Sequence, residues 1–218
     1  MLLGASVVLA SWSVRYDQPV SETTESGVTA FVLAGGKSSR MGRDKAFLEL
    51  GADTLLAKGL KLAGAVSPDV RIVGDLKKFG SFGQVIEDVY RDCGPLGGIH
   101  AALSTSTTDL NLMLAVDLPF VSSELLEYLV LRARESGATV TVPRAGKRLQ
   151  PLCALYRRLF ANVAEQSLRA GKYKIDALFA KVETRVIEED ELTQAGFSVA
   201  MFRNLNTPEE VERAKNAL

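Results

Sequence analysis

The chain has 218 residues, 47% apolar and 24% charged, with 26 Lys and Arg against 26 Asp and Glu. A core of this size needs no disulfide or metal staple, and the neutral balance offers no global field for nucleic acid or a membrane surface. A single histidine, His100, excludes a multi-histidine metal site within one chain, and Cys93 and Cys153 lack the spacing of a zinc or redox pair.

Residues 1–27 differ from the rest. Leu2–Ala10 is mostly apolar but too short to span a bilayer, and no Lys or Arg precedes it as in a secretory leader. Ser11–Gly27 is rich in Ser, Thr and Glu. This segment is expected to be a disordered extension, with the fold confined to 28–218. Two thiols without pairing spacing suit a reducing, cytoplasmic setting.

Val28–Leu33 reads as a buried strand, since β-branched and aromatic residues dominate and glycines follow it. The loop Ala34–Lys45 then interleaves Gly35, Gly36 and Gly42 with Lys37, Arg40, Arg43 and Lys45. Glycines let backbone N–H groups approach a ligand closely, and cations neutralise phosphate. A loop wrapping a nucleoside triphosphate fits this pattern. Gly36-Lys37-Ser38 ends like a Walker A loop, but the first glycine would fall at Phe31. The glycine spacing of a dinucleotide fingerprint is absent too.

Phe47–Leu50 ends at Gly51, and a helical pattern runs through Leu55, Leu56, Leu60, Leu62 and Ala63 until Pro68. Val70–Val73 and Val85–Glu87 read as strands, the second ending at Asp88. Gly94-Pro95-Leu96-Gly97-Gly98 opens a helix through Leu103, on which His100 is expected to have a structural or incidental role. Leu110–Val116 is the most apolar strand and ends at Asp117-Leu118-Pro119-Phe120. Ser122 caps a helix over Ser123–Glu135, and Thr139–Val142 is a strand stopped by Pro143. Gln150–Tyr156 reads as a strand, Arg158–Arg169 as a helix and Ile175–Ala180 as a short one. Thr184–Ile187 and Ser198–Phe202 read as strands. Thr207, Pro208 and Glu210 form a capping box that starts a last helix, ending about Ala217.

Strands alternating with helices predict an α/β fold of three layers, α/β/α, around a mostly parallel sheet. In such sheets ligands bind beyond the carboxyl ends of the strands. The basic loop, Asp88, the Gly94–Gly98 turn and Asp117 each follow a predicted strand, so one sheet edge collects all four. A lone carboxylate after so apolar a strand is costly to bury unless paired or metal-bound. Mg²⁺ bridging Asp117 to phosphate oxygens is one partner; a helix cap or a salt bridge is the other.

Leu33-Ala34-Gly35-Gly36-Lys37-Ser38-Ser39-Arg40-Met41-Gly42-Arg43-Asp44-Lys45 resembles the signature loop of Rossmann-like nucleotidyltransferases, above all the molybdenum cofactor guanylyltransferase family. Gly94–Gly98, Asp117-Leu118-Pro119-Phe120 and Asn204-Leu205-Asn206-Thr207-Pro208-Glu209 resemble that family's later motifs, in order. The resemblance implies transfer of GMP from GTP to the phosphate of molybdenum cofactor, with release of pyrophosphate. It implies one domain, with a nucleotide half over about 28–120 and an acceptor half over about 121–218.

By the same resemblance Leu33, Ala34, Gly35 and Gly36 meet guanine and ribose, while Arg40 and Lys45 hold phosphates. Asp88 binds on the nucleoside side, Gly94, Pro95, Leu96 and Gly97 line the base pocket, and Asp117 holds Mg²⁺. Gln150, Lys174, Asn204 and Asn206 face the acceptor, although some relatives carry His-Pro where Gln150-Pro151 stands. Partners implied are cofactor-biosynthesis proteins and apo-molybdoenzymes, without nucleic acid or membrane. A cytidylyltransferase of the same cofactor, another small-molecule nucleotidyltransferase and a non-catalytic nucleotide-binding module are the alternatives. Gly35-Gly36 favours guanine over the Leu-Ala-Ala-Gly of the cytidine type.

Overall fold

The structure, a computed structural model, describes residues 27–35, 44–205 and 208–215. The predicted extension, Gly36, Arg40, Asn206 and the Thr207 cap lie outside the described residues.

Strands β1 (Val28–Leu33), β4 (Asp69–Val73), β5 (Gln84–Ile86), β6 (Leu110–Ala115), β7 (Val140–Ala145), β9 (Cys153–Arg157) and β10 (Thr184–Ile187) build the main sheet. Their order is β10-β7-β9-β6-β1-β4-β5, and β8 (Arg148–Leu149) pairs with β7 as the eighth strand. β1 is parallel to β4 and β6, β4 to β5, and β10 to β7. β9 runs against both of its neighbours. A small antiparallel pair, β2 (Glu49–Leu50) with β3 (Asp53–Thr54), lies apart.

Every residue of β1 and β6 is buried, as expected of strands covered on both faces. Their alternation divides the core in two. Ala30, Val32, Leu112 and Leu114 pack with α1 (Leu55–Val66) and α4 (Ser123–Ser136). Phe31, Leu33 and Met113 pack on the other face with α3 (Pro95–Thr105), α5 (Phe160–Arg169) and the single turn α6 (Asp176–Phe179). The remaining helices are α2 (Leu76–Phe79), α7 (Glu189–Gln194) and α8 (Pro208–Lys215). The result is the three-layer fold with a mostly parallel sheet.

Local signals set the helix ends. Thr54 accepts from Ala57 N at 3.2 Å to start α1. Ser122 accepts from Leu125 N at 3.3 Å to start α4, which Gly137 ends at φ 66°.

Three expectations fail. The strand read over Gln150–Tyr156 begins only at Cys153, because Gln150–Leu152 form a turn in which Cys153 N donates to Gln150 O at 3.0 Å. β7 continues through Pro143 to Ala145, because β9 pairs with it only at Val140 and Thr141 and does not need an N–H from residue 143. Ser198–Phe202 is no strand: Ser198 accepts from Ala200 N at 3.2 Å and caps a 3₁₀ turn over Val199–Phe202.

Leu112 is fully buried at the sheet centre. Leu112→Ala is expected to lower unfolding free energy by about 2–5 kcal/mol, measured by denaturant titration.

Candidate active site

The ends of β1 and β6 form the floor of the site. Val116 N donates to Leu33 O at 3.1 Å, so the two strands finish level. Ala34 N and Gly35 N both donate to Val73 O, at 2.9 and 3.1 Å, which turns the chain leaving β1 over the end of β4. Beyond these ends opens a cavity of about 590 Å³.

Leu33, Ala34, Gly35 and Lys45 line it from the side of the basic loop. Asp88, Gly94, Pro95 and Asp117 line it from the other strand ends. Leu96 and Gly97, also expected here, are instead buried in the first turn of α3, and Gly98 reaches the cavity wall. Val73, Asp92 and Leu152, which no sequence motif marks, also line the cavity. Nothing local to Asp92 announces its role, although its φ of 61° belongs to a tight turn.

Lys45 is fixed by its neighbour. Asp44 accepts from Ala46 N at 3.2 Å, capping the 3₁₀ turn Lys45–Phe47, and pairs with Lys78 Nζ at 2.9 Å. Phe47 stacks at 5.6 Å from Phe79 and 5.7 Å from Phe82. From this anchored turn Lys45 Nζ reaches Asp117 Oδ2 at 3.3 Å. Asp117 is held elsewhere too: Leu205 N donates to its carbonyl at 3.0 Å and Asn204 Nδ2 to Oδ2 at 3.4 Å. The salt-bridge alternative for Asp117 is thus realised, in a pair that faces a cavity rather than the core.

Asp88 lies half-buried against α3. Its Oδ1 is enclosed without a hydrogen-bond donor, and burial raises its pKa. The glycines of the turn permit this packing. A Cβ on Gly97 would stand 2.7 Å from Tyr90 O, and one on Gly98 3.2 Å from Val73 Cγ1. Gly94, at φ 65°, brings the positive end of α3 to the cavity rim. The segment between Asp88 and Gly94 is tied to α5: Tyr90 Oη donates to Glu165 Oε1 at 3.3 Å, and Arg169 bonds both.

His100 is buried in α3 behind Tyr90, with its ring edge-on to the phenol, and lines neither cavity described here. Cys93 and Cys153 are free, and burial pushes the Cys153 thiol up to about 12.

A second cavity of about 430 Å³ adjoins the first, sharing Ala115 and Leu152. Gln150 and Asn204 line it, with Arg148, Leu149, Pro151 and Phe202. Lys174 is exposed after α5 and lines neither cavity. Among the described residues no cluster of three or more His, Cys, Asp or Glu could hold a metal, and no helix is long and apolar enough to cross a membrane.

The raised Asp88 carboxyl opposes folding where it is ionised and ceases to do so once protonated. Asp88→Asn is expected to melt above wild type at pH 7–8. The gap should narrow as pH falls through the raised native pKa and close below the ordinary carboxylate range, about 4. Calorimetry across pH measures this.

The MobA-like NTP transferase domain model matches residues 30–186. The chain is 35% identical over 189 residues to a probable molybdenum cofactor guanylyltransferase of Pelotomaculum thermopropionicum, covering 86% of this chain and 91% of that protein. It is 32% identical to the molybdenum cofactor guanylyltransferase of Syntrophotalea carbinolica, over 85% of this chain and 89% of that one. Among solved structures, the molybdopterin-guanine dinucleotide biosynthesis protein A of Archaeoglobus fulgidus superposes with a TM-score of 0.75 at 26% identity. That match covers 87% of this chain and 97% of the other. On these likenesses the chain belongs to the molybdenum cofactor guanylyltransferase family of MobA-like NTP transferases.

Proposed function

We propose that the chain transfers GMP from GTP to the phosphate of molybdenum cofactor, forming the guanine dinucleotide and releasing pyrophosphate. The observation that carries this reading is the Lys45–Asp117 pair, 3.3 Å apart in the lining of the first cavity at the ends of β1 and β6, with the second cavity adjoining at Ala115 and Leu152. One cavity suits the nucleotide and the other the acceptor.

The chemistry asks little of the protein in proton transfer. A phosphate monoester has a second pKa near ~6 and is largely dianionic at neutral pH. Its oxygen attacks the α-phosphorus, the new P–O bond forms, and the bond to the bridging oxygen of pyrophosphate breaks. No base is required, in keeping with His100 standing behind the cavity wall. What must be supplied is in-line positioning and neutralisation of crowded anions. Lys45 would neutralise phosphate oxygens, joined by Arg40 from the basic loop. Leu33, Ala34, Gly35 and Gly36 would follow the nucleoside, and Gly94 and Pro95 the base. Asp88, whose enclosed Oδ1 lacks a donor, would accept one from the nucleoside. Gln150, Asn204 and Asn206 would face the acceptor; Lys174 would serve it only from outside the second cavity.

Asp117 would hold Mg²⁺. A single carboxylate with its side chain 18% exposed fits that ion, which takes one or two carboxylates and fills its shell with phosphate oxygens and water. When bound, the ion offsets charge on the phosphates and the departing pyrophosphate. A cytoplasmic setting accords with the two free thiols.

Pyrophosphate release, assayed with Mg²⁺, molybdenum cofactor and each of GTP, CTP, ATP and UTP, is expected with GTP. No release with GTP overturns the reading. Asp117→Ala should retain the wild-type circular dichroism spectrum and lose about 100-fold or more of turnover; full activity would refute the metal assignment.

A further inference from the structure

The second cavity has one charged side chain in its lining, Arg148. Gln150 and Asn204 add neutral amides, and the rest of the wall is apolar or backbone. The hairpin that carries Arg148 is short: β7 turns at Gly146, φ 57°, and Ala145 pairs with Arg148.

That hairpin is fastened from behind by α7 and the residue before it. Arg144 Nε donates to Glu188 Oε2 at 2.8 Å, and Gly146 N to Glu189 Oε2 at 2.7 Å. Both nearby glutamates are thereby committed to holding the hairpin. Arg148 is left unmatched: among the described residues no carboxylate lies within ion-pair distance of it. Lys45, in the lining of the first cavity, differs, since it is paired with Asp117.

A guanidinium stays charged at every relevant pH and presents planar donors that suit oxyanions. At the lining of a cavity and without an acidic partner, it attracts an anion from solution. We propose that Arg148 is a specificity residue for the acceptor, holding an anionic group of that molecule within the second cavity. The inference rests on the guanylyltransferase reading and adds to it a residue outside the family motifs. Lys45, in the lining of the first cavity, would meet the reacting phosphate, so Arg148, in the lining of the second, would meet acceptor charge on that side. Its rigid support gives that contact direction. The strand behind it is tied at two points, so the guanidinium is displayed from a fixed base.

The test compares wild type, Arg148→Ala and Arg148→Lys in pyrophosphate release with GTP and molybdenum cofactor, at low and high salt. Arg148→Ala should raise the acceptor KM about 10- to 100-fold, the range for a charge-assisted hydrogen bond, while the GTP KM stays at the wild-type value. Arg148→Lys should recover part of the loss. The salt dependence of the acceptor KM should be shallower in Arg148→Ala, which a merely structural role would not produce. Arg148 is exposed, so both variants should melt with wild type. An unchanged acceptor KM in Arg148→Ala, or an equal rise in both KM values, overturns the proposal alone. A wild type that releases no pyrophosphate from GTP with this acceptor overturns the guanylyltransferase reading, and this inference with it.

Discussion

β1 and β6 lie side by side, parallel and in register from Val28↔Leu110 to Leu33↔Ala115. The last bond of that ladder, Val116 N to Leu33 O, makes the two strands end at one level. The glycine-rich loop leaves one strand there and Asp117 follows the other. A slip of one residue would turn Phe31 and Leu33 toward the wrong layer and move Asp117 away from Lys45. The cost of that slip is set by two apolar layers at once, because each strand is buried on both faces. Site geometry is therefore a by-product of core packing.

The reversed strand β9 completes the arrangement. Running against β6, it begins at the edge where its neighbours end. Ala115 N donates to Leu152 O at 2.7 Å, and Leu114 pairs with Cys153. Gln150, Pro151 and Leu152 thus arrive beside Asp117, although more than thirty positions separate them in the chain. An all-parallel sheet would have sent the start of this strand to the opposite edge. The hairpin β7–β8 is the device that turns the chain for this purpose.

Much of this was legible in the sequence. The apolar runs at Val28–Leu33 and Leu110–Val116 announce buried parallel strands, and the turn after each carries polar chemistry. The Ser122 cap and the alternation of strands with helices gave the layers. Other features could not be read. Strand direction leaves no mark in a run such as Cys153–Arg157, so the delivery of Leu152 to the cavity was hidden. Pro143 reads as a stop unless the pairing partner is known to end before it. Leu96 and Gly97 belong to a glycine turn, but the helix begins at Pro95, so they face the core while Gly98 reaches the wall. Val73 and Asp92 enter the cavity through register and a left-handed turn, neither of which a local pattern encodes.

Asp117 is gripped by segments distant along the chain. Its carboxylate meets Lys45, separated by 72 positions, and Asn204, separated by 87, while its carbonyl takes Leu205 N. Segments so far apart along the chain meet only in the folded state. The aspartate is therefore fixed only when the fold as a whole is, and a local opening of any one of these segments frees one of its atoms while the β1–β6 ladder beneath it persists.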